Sequence, residues 1–272
     1  MDRDKTIVYL GTEGNPKCCL GLKEILEDGW LVKLVIAYVP PSLSSGRRSV
    51  LQRAKRTATP FLKRLMQLGG TRHEEFGAES LEFRNMQALC DAHQICYRST
   101  QETSLTSLIP DIERVSPDVI LSNGWMFKVS GAVSSRARLI ALNCHSSYLP
   151  EYRGGNITYA PLINEEKQSG VTVHQLVEKF DAGPILSQKR VSIEPGETPR
   201  SLNMKRAQIA GRVITEALRV AGHPELYRPN PPSSFYFRCT RATYRRYKRI
   251  NSLRKMIGLP IKRYEPQERY DI

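Results

Sequence analysis

No C-x-x-C pair occurs among the six cysteines (Cys18, Cys19, Cys90, Cys96, Cys144 and Cys239) and no second cluster accompanies them, which argues against both a zinc site and a disulfide framework. Reduced, mostly buried thiols are expected. Histidine is scarce at five residues, and His and Asp lie too far apart along the chain to supply a metal-ligand set. Long apolar runs are missing as well. The opening MDRDKTIVYLGTEG offers only Ile7 to Leu10, far short of a secretory h-region or a bilayer span, so a cytoplasmic protein is expected. There is no internal repeat. The Gly11-Thr-Glu-Gly14 turn lacks the G-K-[ST] ending of a P-loop, and Glu13 would repel a close phosphate, so a plain strand-to-helix turn is expected there.

What is present is a globular composition, 40% hydrophobic and 25% charged, enough to build a core and too apolar for wholesale disorder. The formal charge of +14 is unevenly spread. Arg47 to Arg72 holds eight Lys/Arg and no acid, and Arg238 to Ile272 holds eleven against Glu265, Glu268 and Asp271. Each segment carries +8, which leaves −2 for the rest. Clustered cations of this kind either form a solvated basic face or attract an anionic partner: a phosphorylated substrate, nucleic acid or an acidic membrane surface.

Alternating strands and helices predict an α/β fold with a Rossmann-like, mostly parallel sheet. Strands are expected at Thr6–Leu10, Leu31–Val39, Gln94–Tyr97, Asp118–Ser122, Leu139–Cys144, Val171–Val177 and Ile185–Val191. Helices are expected at Lys17–Glu27, through Val50–Met66 with a break near Pro60, at Glu79–His93, Leu105–Val115 and Pro199–Ala221. The Pro-rich stretch from His223 to Pro232 marks a boundary. The expected organisation is a catalytic domain over 1–222, then a Pro-rich linker and small basic C-terminal extension over 223–272, its tail helical from the spacing of Arg245, Tyr247, Lys248, Arg249, Leu253, Lys255 and Met256.

The strand ending at Cys144 runs straight into Asn143-Cys-His145-Ser-Ser147-Tyr-Leu149-Pro150, and Asp181-Ala182-Gly183-Pro184-Ile185 follows 36 residues after His145. Ligands of open α/β sheets bind at strand C-termini. Residues two apart on an extended segment share a side, so Asn143 and His145 can line one pocket while Cys144 points into packing rather than acting as a nucleophile. An amide donor such as Asn143 suits an oxyanion, and His145 can donate to the same oxygen or relay a proton. Asp181 can orient and support a protonated His145 or accept a proton through water. Singly, each residue reads first as a turn former or a packed polar group; their joint occurrence at this spacing is what favours a shared site. His174, in T-x-H, reads either as a residue of the site or as a core histidine.

These motifs resemble the N-x-H-x-S-x-L-P signature and the later D-x-G-P-I loop of the 10-formyltetrahydrofolate-dependent formyltransferases, the family that includes glycinamide ribonucleotide, methionyl-tRNA and amino-sugar enzymes. The resemblance fades outward over Thr6 to Ala221. It implies 10-formyltetrahydrofolate as co-substrate, Asn143, His145 and Asp181 as catalytic residues, and a pterin held by the Ala182, Gly183 and Pro184 loop and by Trp125, Met126, Phe127 and Val129. Gly183 is expected at positive φ. Ser147, Tyr152, Arg153 and Gly154 are candidate acceptor-binding residues, with Arg153 as an anion clamp. The implied acceptor is a primary amine on an anionic small molecule, with an amino sugar on a nucleotide carrier as the first choice. About fifty residues follow His223, too few for the β-rich domain of the methionyl-tRNA enzymes. The alternatives are a methionyl-tRNA-like enzyme, a formyltetrahydrofolate hydrolase, and a non-enzymatic scaffold that binds nucleic acid through 47–72 and 238–272.

Overall fold

The structure, a computed structural model, describes residues 4–41, 85–155, 157–236 and 239–266. The basic segment 47–72, the helix expected within it and the start of the one expected at Glu79 lie outside the described residues. The chain begins with β1 (Thr6–Thr12), α1 (Pro16–Glu27) and β2 (Leu31–Tyr38), followed after the gap by α2 (Met86–Ala92), β3 (Cys96–Thr100), a 3-10 turn (Thr106–Leu108) and α3 (Ile109–Val115). Then come β4 (Val119–Asn123), α4 (Gly131–Ser134), β5 (Ile140–His145), α5 (Tyr159–Ile163), β6 (Gln168–Gln175), β7 (Ile185–Ser192), α6 (Pro199–Val220) and α7 (Arg241–Met256). The expected strands are all present with ends moved by a few residues. The two short helices α4 and α5 have too few turns to leave a periodic signal.

The seven strands form one sheet in the order β3-β2-β1-β4-β5-β6-β7. The pairs from β3 across to β5 are parallel, whereas β5–β6 and β6–β7 are antiparallel. Helices cover both faces, so β1 is buried throughout its centre. Ile7 and Tyr9 enter one core with Cys18, Leu22, Ile25, Val213 and Leu218, while Val8 and Leu10 enter another with Leu34, Ile36, Ile112 and Trp125. This is the period-two alternation of a strand packed on two sides.

Local chemistry fixes the element ends. Asn15 caps α1 by accepting from the Lys17 N–H, with Pro16 at the first helical position. Thr198 and Ser201 form a capping box ahead of Pro199 on α6. Glu13 accepts from the Met86 N–H and the Tyr97 hydroxyl, so the first turn is closed by its own protein partners. A third, smaller core of Tyr152, Ile157, Ala160, Ile163, Tyr236 and Cys239 lies under α7, with Tyr244, Tyr247 and Tyr264 packed on it.

Candidate active site

The parallel strands β4 and β5 end on the same edge of the sheet. The antiparallel β6 runs back beside them and sets His174 opposite Asn143. Asp181 reaches the same point from the loop between β6 and β7. The three residues expected to act together are therefore in contact, joined by a fourth.

Asp181 is the hub. Its Oδ1 lies 3.4 Å from His145 Nδ1, 3.4 Å from His174 Nε2 and 3.4 Å from Asn143 Nδ2, while Oδ2 accepts from the Gly154 N–H at 2.9 Å. Burial opposes a charge on this carboxylate. The charge that His145 and His174 carry when protonated, the N–H that His174 then offers and the Gly154 N–H outweigh it and hold the group well below the ordinary carboxylate range, so Asp181 is ionised at neutral pH.

His145 is held differently. Its Nε2 donates to the Tyr152 carbonyl at 3.1 Å, and the Nδ1 lone pair then faces Asp181. Burial lowers its proton affinity, against the pull of Asp181 and of the Tyr152 carbonyl, and the ring is neutral at pH 7. In His174, Nδ1 donates to the Gln175 carbonyl at 2.9 Å; Nε2 accepts from Asn143 at 3.2 Å when the ring is neutral and donates to Asp181 Oδ1 at 3.4 Å when it is protonated. One Asn143 N–H is thus taken, and the other makes only the long contact with Asp181. That second N–H is available to an incoming oxygen.

Because the folded pKa of His145 lies below its unfolded value of about 6.5, the unfolded chain binds more protons across that interval. Folding stability should therefore rise with pH through the window below about 6.5 and level off above it. Urea unfolding at a series of pH values should show the rise, and His145→Gln should flatten it. An unchanged slope in the variant would mean that another group is responsible.

Cys144 faces away from the site into the first core, as the strand alternation requires, and burial raises its thiol pKa. All six cysteines are free thiols, five buried and Cys96 exposed. Among the described residues no group of His, Cys, Asp and Glu is arranged to hold a metal. Nor is any described helix long and apolar enough to cross a membrane. Sequence reasoning passed over Lys17, whose ammonium donates to the Cys144 carbonyl and the Ser146 hydroxyl and so fixes the end of β5.

The turn that carries Asp181 differs from expectation in one respect. Positive φ falls on Asp181 itself, at 49°, and not on Gly183. Gly183 is needed for space, since a Cβ there would lie 2.0 Å from the Gln175 carbonyl oxygen. Beside this loop a groove of about 650 Å³ is lined by Phe127, Val129, Leu176 and Val177, with polar Ser104 and Ser130 among its other walls. Trp125 and Phe127 pack edge-on at 5.9 Å, the Trp125 Nε1 is buried without a hydrogen-bond partner among the described residues, and Met126 is exposed.

Three of the candidate acceptor residues are turned inward. Ser147 donates to the Glu151 carbonyl, and Tyr152 donates to Glu166 and stacks on Tyr236 with ring centres 4.5 Å apart. Arg153 is only 4% exposed, and its Nη2 is spent on Asn230 and Pro231, so it is not a free anion clamp. Gly154, at φ 101°, serves the site by its N–H, and a side chain there would strike the Tyr236 carbonyl.

A family model described as formyl transferase matches residues 66–218. A methionyl-tRNA formyltransferase of Thermotoga maritima is 30% identical over 133 residues, 49% of this chain but only 42% of that protein, so the chain spans less than half of that relative's length. Among solved structures, glycinamide ribonucleotide transformylase 1 from Symbiobacterium toebii matches with a TM-score of 0.55 at 20% identity, over 81% of this chain and 88% of its own. Phosphoribosylglycinamide formyltransferase from Anaplasma phagocytophilum gives 0.58 at 13% identity, over 86% and 98%. A formyltetrahydrofolate deformylase from Pseudomonas syringae gives 0.55 at 16%, over 79% and 60%. At these identities the structural likeness speaks for the fold.

Proposed function

The chain belongs to the formyl transferase family, and from that premise we propose that it transfers a formyl group from 10-formyltetrahydrofolate to a primary amine. The observation that carries this reading is the Asn143, His145 and Asp181 cluster, an amide donor and a neutral imidazole around one ionised carboxylate. The donor contributes the formyl carbon. The groove beside the 181–184 loop suits a flat heteroaromatic ring, being walled by Phe127, Val129, Leu176 and Val177 with Ser104 and Ser130 among its polar lining.

The chain's own residues would act as follows. The second N–H of Asn143 donates to the formyl oxygen as negative charge grows there. As the amine nitrogen bonds to the formyl carbon, the proton it loses passes to His145 Nδ1 beside Asp181 Oδ1, and the same proton goes to the folate N10 as the bond from N10 to the formyl carbon breaks. Between the two transfers the protonated imidazole satisfies both of its acceptors, the Tyr152 carbonyl and the carboxylate. Burial of the pair excludes bulk water, which disfavours loss of the formyl group as formate.

For the acceptor, an anionic amine is the first choice and an amino sugar on a nucleotide carrier the first compound to try, because the net charge is strongly positive. Calorimetric titration with a stable 10-formyltetrahydrofolate analogue should give saturable binding that is lost when the 181–184 loop is disrupted. A folded wild type that binds nothing would remove this reading.

One further feature favours a membrane over nucleic acid as the partner of the tail. No acid occurs between Arg241 and Tyr264, and the outer face of α7 presents Arg245, Arg246 and Arg249. Its end exposes Leu253, Met256, Ile257 and Leu259. Tyr244, Tyr247 and Tyr264 are turned into the third core, away from any base that could stack on them. Exposed cations on the same helix as exposed aliphatic side chains fit an acidic lipid surface. The protein should sediment with phosphatidylserine vesicles but not with neutral ones, and Leu253→Ser with Ile257→Ser should weaken this. Salt-sensitive RNA binding without vesicle binding would reverse the choice.

A further inference from the structure

Residues 228–236 lie beyond the part of the chain matched by the family model, in the stretch whose prolines read as a linker. Instead of leaving the molecule they form a strap across the site. One end is a pair of backbone bonds between Arg228 and Ile185, at 2.8 and 2.9 Å. The other is the Tyr236 N–H donating to the Arg153 carbonyl at 2.7 Å.

Between these anchors sits Asn230. Its Nδ2 donates to the Asp181 carbonyl at 3.0 Å and to the Gly183 carbonyl at 2.8 Å, and its Oδ1 accepts from Arg153 Nη2 at 2.6 Å. Arg153 Nη2 also reaches the carbonyls of Asn230 and Pro231, so the buried guanidinium grips both the side chain and the backbone of the strap. The carboxamide therefore brackets Ala182 and holds the backbone on either side of it.

That grip matters because Asp181 is left-handed at φ 49°, a conformation that is strained for a non-glycine residue and persists only where the surroundings enforce it. The Asp181 side chain has several partners, but on its own carbonyl the hydrogen bond is Asn230's. We infer that Asn230 is a positioning residue: held by Arg153, it fixes the backbone of the Asp181 turn and thereby the distance from the Asp181 carboxylate to His145. The strap is then a working part of the site. A passive linker would need none of these bonds, and its loss would change stability alone.

The test is an NMR titration of the His145 ring in the full chain, with the signal assigned by its absence in His145→Gln. Asn230→Ala, and Asn230→Leu as a similar-sized uncharged variant without donors, are each made in the wild type and in an Asp181→Asn background. In the wild-type background either change should move the His145 midpoint by at least about half a pH unit, because the carboxylate beside the ring is displaced. In the Asp181→Asn background the same change should leave it still. A folded variant with an unmoved midpoint, or an equal shift in both backgrounds, would overturn the inference. The kinetic corollary rests on the proposed function: kcat should fall about tenfold or more with the donor KM little changed. If the wild type transfers no formyl group at all, that function falls, and the titration still decides the role of Asn230.

Discussion

Asp181→Asn should fold as well as the wild type and lose about two to four orders of magnitude in formyl transfer. The asparagine has the same shape, and its oxygen can still accept from the Gly154 N–H. Its new NH2 would face His145 Nδ1, which can accept while Nε2 keeps the bond to the Tyr152 carbonyl. Only the long contact of the second Asn143 N–H loses its acceptor, and the proton has nowhere to go. The variant should also lose the stability change that accompanies titration of Asp181. The folded pKa of that group is depressed, so its contribution is complete above the unfolded value of about 3.9 and disappears as pH falls through the lower folded one. Single-turnover kinetics together with acid unfolding would check both parts. Near-normal transfer by a folded Asp181→Asn protein would mean that the carboxylate is no part of the proton path.

The second large effect should come from a single methyl group. In Gly183→Ala the new Cβ would lie 2.0 Å from the oxygen and 2.9 Å from the carbon of the Gln175 carbonyl. Neither side can yield cheaply. Gln175 N–H donates to the Pro184 carbonyl, and the Gly183 carbonyl accepts from Asn230. The loop must therefore shift as a unit, at a cost of roughly 1–3 kcal/mol for overpacking. Activity should fall much further than stability, because the loop that shifts carries Asp181. Thermal unfolding compared with kcat measures the split. A variant with wild-type activity would show that the loop tolerates displacement and that the carboxylate position is not critical.

The parts of this site that were legible in the sequence are those carried by reactive side chains at fixed spacing. Asn143, His145 and Asp181 could be grouped because strand alternation puts the first two on one side, and because the chemistry asks for a third polar group. Cys144 could be set aside by the same alternation. The sheet was legible from its buried β-branched runs, though the reversal of β6 was not, since a buried strand has the same composition in either direction. The pairing of His174 with Asn143 follows from that reversal and was beyond reach for the same reason.

Arg153 shows a different limit. An arginine after a catalytic motif reads as an anion clamp, yet here the buried side chain commits its Nη2 to carbonyls nearly eighty residues further along the chain. Asn230 has no signature of its own, because a carboxamide that bonds to two backbone carbonyls places no demand on the residues around it in sequence. Gly183 was identified as special, but the reason was a carbonyl arriving from another strand and not its own dihedral angle.

The chain has only two tryptophans, and the fold separates them. Trp30 is shut into the first core with its indole N–H donating to Asp28, whereas Trp125 belongs to the second core and meets the groove-lining Phe127 edge-on. In a Trp30→Phe protein the tryptophan fluorescence, excited selectively over that of the twelve tyrosines, would come from Trp125 alone, beside the groove proposed for the donor. The molecule would then carry its own optical gauge of occupancy, responsive to any ring that enters and usable before an acceptor has been found.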